Sequence, residues 1–183
     1  MDLDDLRRIS EDAEESAFRL ETLPQYLVPQ EAERFAIWNS GEPLPLRTPE
    51  NSEWLARLQR DTANGFRWYR VHILDQPLTS YLRFELDSYS EGAAVGNEIY
   101  VADRDSHPEL MELHEDFWLF DDEIAVRMIY DDEGRFLYPE LVDDIESYMQ
   151  VRDAALHHAE PLIDYLARKN LTSESPKIIL DRP

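Results

Sequence analysis

Six side chains between Asp103 and Glu115 are of the types that hold a hard or borderline cation: Asp103, Asp105, His107, Glu109, His114 and Glu115. Carboxylate oxygens and imidazole nitrogens are the donors such ions take. Their spacing matches no established cage. A calcium-loop reading of Asp131-Asp132-Glu133-Gly134 fails too, because Gly134 in sixth place would put Ile129 in the first ligand position. These acids therefore read as solvated turns, and neither a metal nor another cofactor is expected. Asp153 and His157 stand four residues apart, followed by His158 and Glu160. A helix would bring that carboxylate and imidazole together. No cysteine and no nucleophile elbow completes a catalytic set. The group reads as a helix flank, and no catalytic residue is assigned.

The arginines are more suggestive. By the two-residue alternation of a strand, Trp68, Arg70 and His72 share one face, and Glu123 and Arg127 share a face of another strand. Glu98, Tyr100 and Arg104 could add to the same surface. A guanidinium matches carboxylate or phosphate through two parallel hydrogen bonds. Trp68, Arg70, His72 and Arg127, with Tyr81, Arg83 and Glu85 from the helix that follows, are the predicted ligand-binding residues, suited to an anionic or planar ligand. The competing reading is a set of cross-strand Arg–carboxylate pairs on a solvated sheet face. A phosphate-cradling loop is not expected, since the chain has only five glycines.

The chain has 183 residues, enough for one core without disulfide or metal support. Forty acidic residues oppose 18 basic ones, for a net charge of -22. That charge argues against binding phosphate backbones or anionic membranes, where Lys and Arg must replace counterions. It fits a soluble protein, a dock for a basic partner or a mimic of nucleic-acid charge. The excess is uneven: from residue 103 to 146, sixteen acids face only Arg104, Arg127 and Arg135. No leader segment or membrane span is expected, and the lack of cysteine fits a reducing cytoplasm.

The elements that would position these groups follow from periodicity. Residues 3–22 read as a helix through Leu6, Ile9, Ala13, Ala17 and Leu20, with a break near Ser10 as the alternative. Pro29 opens a second helix, and Asn51 or Ser52 caps a third. Residues 66–74 and 98–104 read as strands, with a helix after Pro77 between them. Strands near 116–120, 123–130 and 135–138 form a meander whose last turn uses Gly134. Asp143 or Asp144 caps a long final helix that Pro161 kinks or splits. The expected class is α+β: a mostly antiparallel sheet of about five strands, flanked by N-terminal helices, one mid-chain helix and a long C-terminal helix. Residues 1–169 form the expected domain and 170–183 a tail.

Four stretches carry a likeness. They are Arg70-Val71-His72-Ile73 with Pro77-Leu78-Thr79-Ser80-Tyr81-Leu82-Arg83-Phe84-Glu85-Leu86, then Asp116-Phe117-Trp118-Leu119-Phe120-Asp121, then residues 126–136, and Arg152-Asp153-Ala154-Ala155. Together they resemble an actinobacterial family of unknown function, whose members look like neighbours of helix-turn-helix regulators. The resemblance spans most of residues 15–166 and implies a cytoplasmic regulatory role, with no catalytic residue to carry over. The expected function is a regulatory or interaction protein acting through protein–protein contact. A helix-turn-helix regulator is the expected kind of partner, with no direct contact to nucleic acid or membrane. The alternatives are a small-molecule binder or enzyme using the arginine face, and an acidic DNA mimic.

Overall fold

The computed structural model describes residues 1–171; most of the expected tail lies outside them. The N-terminal stretch holds a helix and a strand. Helix α1, Leu3–Asp12, has a capping box in which the Asp2 and Asp5 side chains each accept from the other's backbone N–H. The chain then turns, and Ser16–Glu21 forms strand β1 in the middle of the sheet. The helical reading of 3–22 is therefore corrected. Ala17 and Leu20 fit a helical period by coincidence; both faces of β1 are buried, so its sequence shows no alternation to betray a strand. A distant residue fixes the turn: the Asp121 carboxylate accepts from the backbone N–H groups of Glu14, Glu15 and Ser16 at 2.7–2.9 Å.

A 3-10 turn at Pro29–Glu31 leads into α2, Ala32–Asn39, and α3, Glu53–Ala63, is capped by Ser52. Strand β2, Arg67–Leu74, runs into α4, Ser80–Ala93, capped by Thr79. Strand β3, Glu98–Asp103, and a short helix α5, Pro108–Met111, precede the meander β4, Asp116–Phe120, β5, Ile124–Tyr130, and β6, Phe136–Val142. The final helix is divided, as Pro161 requires. Helix α6, Ile145–His158, ends before the two-residue strand β7, Glu160–Pro161, and α7, Leu162–Arg168, follows.

The sheet has seven strands in the order β6-β5-β4-β1-β2-β3-β7. It is mixed: β1, β2 and β3 are parallel neighbours, and the remaining pairs are antiparallel. The expected mostly antiparallel sheet of about five strands is corrected in strand number, because neither β1 nor β7 reads as a strand; four of the six pairings are antiparallel, and the parallel β1-β2-β3 block depends on helical crossovers that a single strand does not announce. Helices cover both faces. Phe18, Leu20, Val71, Ile73, Phe117, Leu119 and Ala125 pack under α6. On the opposite face, Leu55 and Leu58 of α3 meet Trp68, Phe120 and Val126, while Leu82 and Leu86 of α4 meet Ile99 and Val101.

Gly134 joins the β5–β6 turn to the segment after β1. Its φ is +81°, and an added Cβ would stand 2.2 Å from the Gln25 carbonyl oxygen. Its own carbonyl accepts from Leu27 N–H at 2.8 Å. Gly65 has a similar φ of +91° but open space around it. Gly65→Ala should therefore carry only the cost of a left-handed backbone, about 1–3 kcal/mol. Gly134→Ala should lose more stability than Gly65→Ala in urea unfolding; equal losses would mean the close approach to Gln25 is of no consequence.

Candidate functional site

Arg19 points to the α4 side of the sheet and is only 4% exposed. Its Nη2 donates to Asp116 Oδ2 at 2.7 Å and to the Tyr130 hydroxyl at 3.2 Å. Asp116 is also buried and accepts from Thr22 N–H, the Thr22 hydroxyl and the Tyr26 hydroxyl at 2.6–2.8 Å. One carboxylate thus ties β4 to β1 and to the chain leaving β1. Burial opposes the Arg19 charge, but Asp116, Tyr130, Glu21 and Tyr26 together outweigh it and hold the guanidinium above its ordinary pKa. Burial and then Asp116 push the Tyr26 phenol well up.

A second group lies beside it. Arg70 and Arg19 are neighbours across β1 and β2. Arg70 Nη1 donates to Glu21 Oε2 at 2.9 Å, and its guanidinium lies over the Tyr89 ring at 5.0 Å. The Tyr89 hydroxyl contacts Glu21 at 3.0 Å, Glu85 at 2.9 Å and His72 Nδ1 at 2.8 Å. The Tyr81 hydroxyl stands between Glu85 at 3.3 Å and Glu31 at 3.1 Å.

Each tyrosine hydroxyl has one proton to give. If Glu21, Glu31 and Glu85 were all ionised and His72 neutral, two protons would face more acceptors than they can serve. A proton on Glu85 adds a donor and relieves part of that deficit; Glu85 contacts tyrosines and no guanidinium. Burial followed by repulsion from Glu21 raises Glu85 above the usual carboxylate range. Burial also raises Glu21, but Arg70 and then Arg19 reverse that and hold it ionised. Burial lowers His72, which stays neutral with its Nε2 facing the Leu23 carbonyl.

Asp116 and Tyr130 also line an open cleft of about 680 Å³ at the end of the sheet. Leu23, Pro24, Gln25 and Leu27 form one wall; Met128 to Gly134 form the other. His114, Glu115 and Arg127 complete it. Five acidic residues, Glu115, Asp116, Asp131, Asp132 and Glu133, line this space; the Asp116 carboxylate is spent on the buried network and that of Asp131 on the turn. Arg127 is engaged already: it donates to Glu115 at 2.8 Å and to Glu140, and these bonds raise its pKa.

Of the predicted ligand-binding residues, Arg70, His72, Tyr81 and Glu85 meet in the buried network. Trp68 shares their face but packs under α3, with Arg57 over its ring at 5.0 Å. Arg83 is exposed on α4. Arg127 does not join them. It pairs with Phe117, whose side chain lies on the α6 face, whereas Arg70 aligns with Arg19 on the α4 face. The proposed single arginine face is therefore corrected: alternation sorts residues within one strand and leaves open which side of the sheet each set takes. The polar face of β2 was also read as solvated, and α4 covers it. Arg19, Glu21, Thr22 and Tyr26 were missed because they fell inside the supposed helix or its end. Asp116 was read only as a strand boundary.

The two metal-type sets partly meet. The His107 ring stacks on His158 at 4.1 Å, and Glu109 bonds His158. Asp103 is held by Gln76, Tyr165 and Lys169, and Glu115 by Arg127 and Tyr148. Among the described residues, no group of three or more His, Asp or Glu side chains is arranged to hold a metal ion. No helix among them is long and apolar enough to cross a membrane.

Residues 4–167 match the family model described as a domain of unknown function, DUF6879. The chain belongs to that family. The DUF6879 match takes in all seven strands and both halves of the network. No curated protein matches the chain.

Glu85 supplies a pH test. Its folded-state pKa is raised, so the folded state binds a proton that the unfolded state has released, and stability falls as pH rises between the two values. Glu85→Gln keeps the neutral shape and removes that slope. From about pH 5 to about pH 7.5 the parent should lose stability relative to the variant, by at most about 1.4 kcal/mol per pH unit. Parallel urea-unfolding curves for the two proteins would contradict the neutral assignment.

Proposed function

We propose that this protein is a cytoplasmic regulatory protein that acts by binding a basic segment of another protein. The observation that carries this reading is the cleft. Five acidic residues line it, with Asp132 and Glu133 exposed on its wall, and its one arginine is occupied by Glu115 and Glu140. Such a space attracts a Lys or Arg side chain, and the apolar Leu23, Leu27 and Met128 favour its methylene stem. The wider surface charge would raise the rate of encounter with a cationic partner. The resemblance to actinobacterial proteins found beside helix-turn-helix regulators supports a regulator of that kind as the partner, because DNA-binding proteins carry the basic surfaces this cleft would accept.

The buried arginines do not favour a small-molecule function. Arg19 and Arg70 are committed to Asp116 and Glu21 inside the fold. Chemistry on a substrate would require breaking those pairs. A DNA-mimic role would need free carboxylates spaced like phosphates along one face, and two of the cleft's five acids, Asp116 and Asp131, are spent on internal hydrogen bonds.

Asp132 and Glu133 are exposed on the cleft wall, whereas Asp131 holds the turn through the N–H groups of Glu133 and Arg135. Asp132→Asn/Glu133→Gln should weaken binding to a partner recovered from the native cell by about tenfold or more, measured by calorimetry. The same two-charge change on α1, Asp4→Asn/Glu11→Gln, should have a much smaller effect. Equal weakening by both pairs would reduce the cleft to a share of general surface charge.

A further inference from the structure

We propose that β6, the edge strand of the sheet among the described residues, is the surface on which the partner's apolar side chains dock. This rests on the preceding reading of a basic protein partner and adds where, and by what side chains, that partner is anchored. Edge strands of soluble proteins are ordinarily polar or charged. Here Leu137, Tyr138 and Leu141 are 51%, 50% and 57% exposed. The pairing with β5 passes from Ile129–Tyr138 to Tyr130–Phe136, so Leu137 is the extra residue of a bulge and has no partner opposite. Leu141 pairs with Val126 and lies on the α4 side, whereas Tyr138 pairs with Ile129 and lies on the other. The strand therefore presents apolar groups along its rim on both sides.

Charge specifies the occupant. Asp131, Asp132 and Glu133 stand at one end of β6, where Arg135 offsets one of the three charges, and Asp143, Asp144 and Glu146 stand at the other. An apolar rim between two acidic ends fits a partner segment with apolar side chains flanked by Lys or Arg. A second copy of this chain would bring like charges together at both ends. Strand addition is also disfavoured: proline is accommodated on an edge because its missing N–H falls on the unpaired side, and Pro139 interrupts the row of donors there. The partner docks through side chains. The turn at 131–134 borders both this rim and the cleft, so one segment can engage the two together.

The test uses two synthetic peptides of equal length and charge, one alternating Lys with Leu and one alternating Lys with Ser. Binding is followed by calorimetry and by amide shifts. The Lys-Leu peptide should bind at least about tenfold more tightly, the gain expected from burying one or two leucines. It should shift the amides of β6. Leu137→Ser/Leu141→Ser should erase the difference and leave Lys-Ser binding unchanged, whereas Ile163→Ser, at a still more exposed leucine-sized site on α7, should preserve it. Equal affinity for the two peptides, or a difference that survives the β6 double variant, overturns the docking surface while the charge reading stands. Failure of both peptides to bind overturns both proposals. A dimer in sedimentation that the β6 double variant dissolves would assign the surface to a second copy and overturn the partner assignment.

Discussion

Arg19 and Asp116 place a positive and a negative charge inside the sheet, one on the central strand and the other on its antiparallel neighbour. Removing Arg19 would leave Asp116 buried without a counter-charge, which costs about 3–5 kcal/mol in proteins of this kind; removing Asp116 would leave Arg19 with only Glu21, at 3.8 Å. The pair does more than neutralise itself. Asp116 also holds Thr22 and Tyr26, so it fixes the direction in which the chain leaves β1. That segment becomes one wall of the acidic cleft, and Tyr130, bonded to Arg19, lies on the other. The shape of the surface thus depends on an ion pair that the surface hides.

Within this buried network Arg19 and Arg70 balance Asp116 and Glu21, and burial favours the uncharged form of Glu85. The net charge of -22 therefore resides outside the core, where it can act on partners. Inside, the charges specify geometry: each guanidinium and carboxylate accepts few arrangements, and together they set β1, β2, β4 and α4 in register. The buried arginines are tied to carboxylates inside the fold, whereas Asp132 and Glu133 at the sheet end stand exposed to solvent.

Much of the framework was legible in the sequence. The meander, the Gly134 turn, the helix caps at Ser52 and Asp144, and the interruption at Pro161 all follow from local rules about caps, turns and proline. Family membership was legible in the order of distinctive segments. The central strand was not, because Ser16–Glu21 is buried on both faces and its ends are set by Asp121, more than a hundred residues away. The site was half legible. Alternation grouped Arg70 with His72, and the helix stripe brought in Tyr81 and Glu85, yet their partners Arg19 and Glu21 lay on the unread strand. Arg127 was joined to them by residue type, and strand pairing set it on the other face.

The central claim is that the Arg19–Asp116 pair holds the segment at 22–27 and thereby forms the cleft. A double-mutant cycle with Arg19→Met and Asp116→Asn tests it directly, read by urea unfolding and by hydrogen exchange. The predicted result is a coupling energy of about 1–3 kcal/mol, with faster exchange at residues 22–27 in each single variant. Additive losses, with exchange in that segment unchanged, would contradict it.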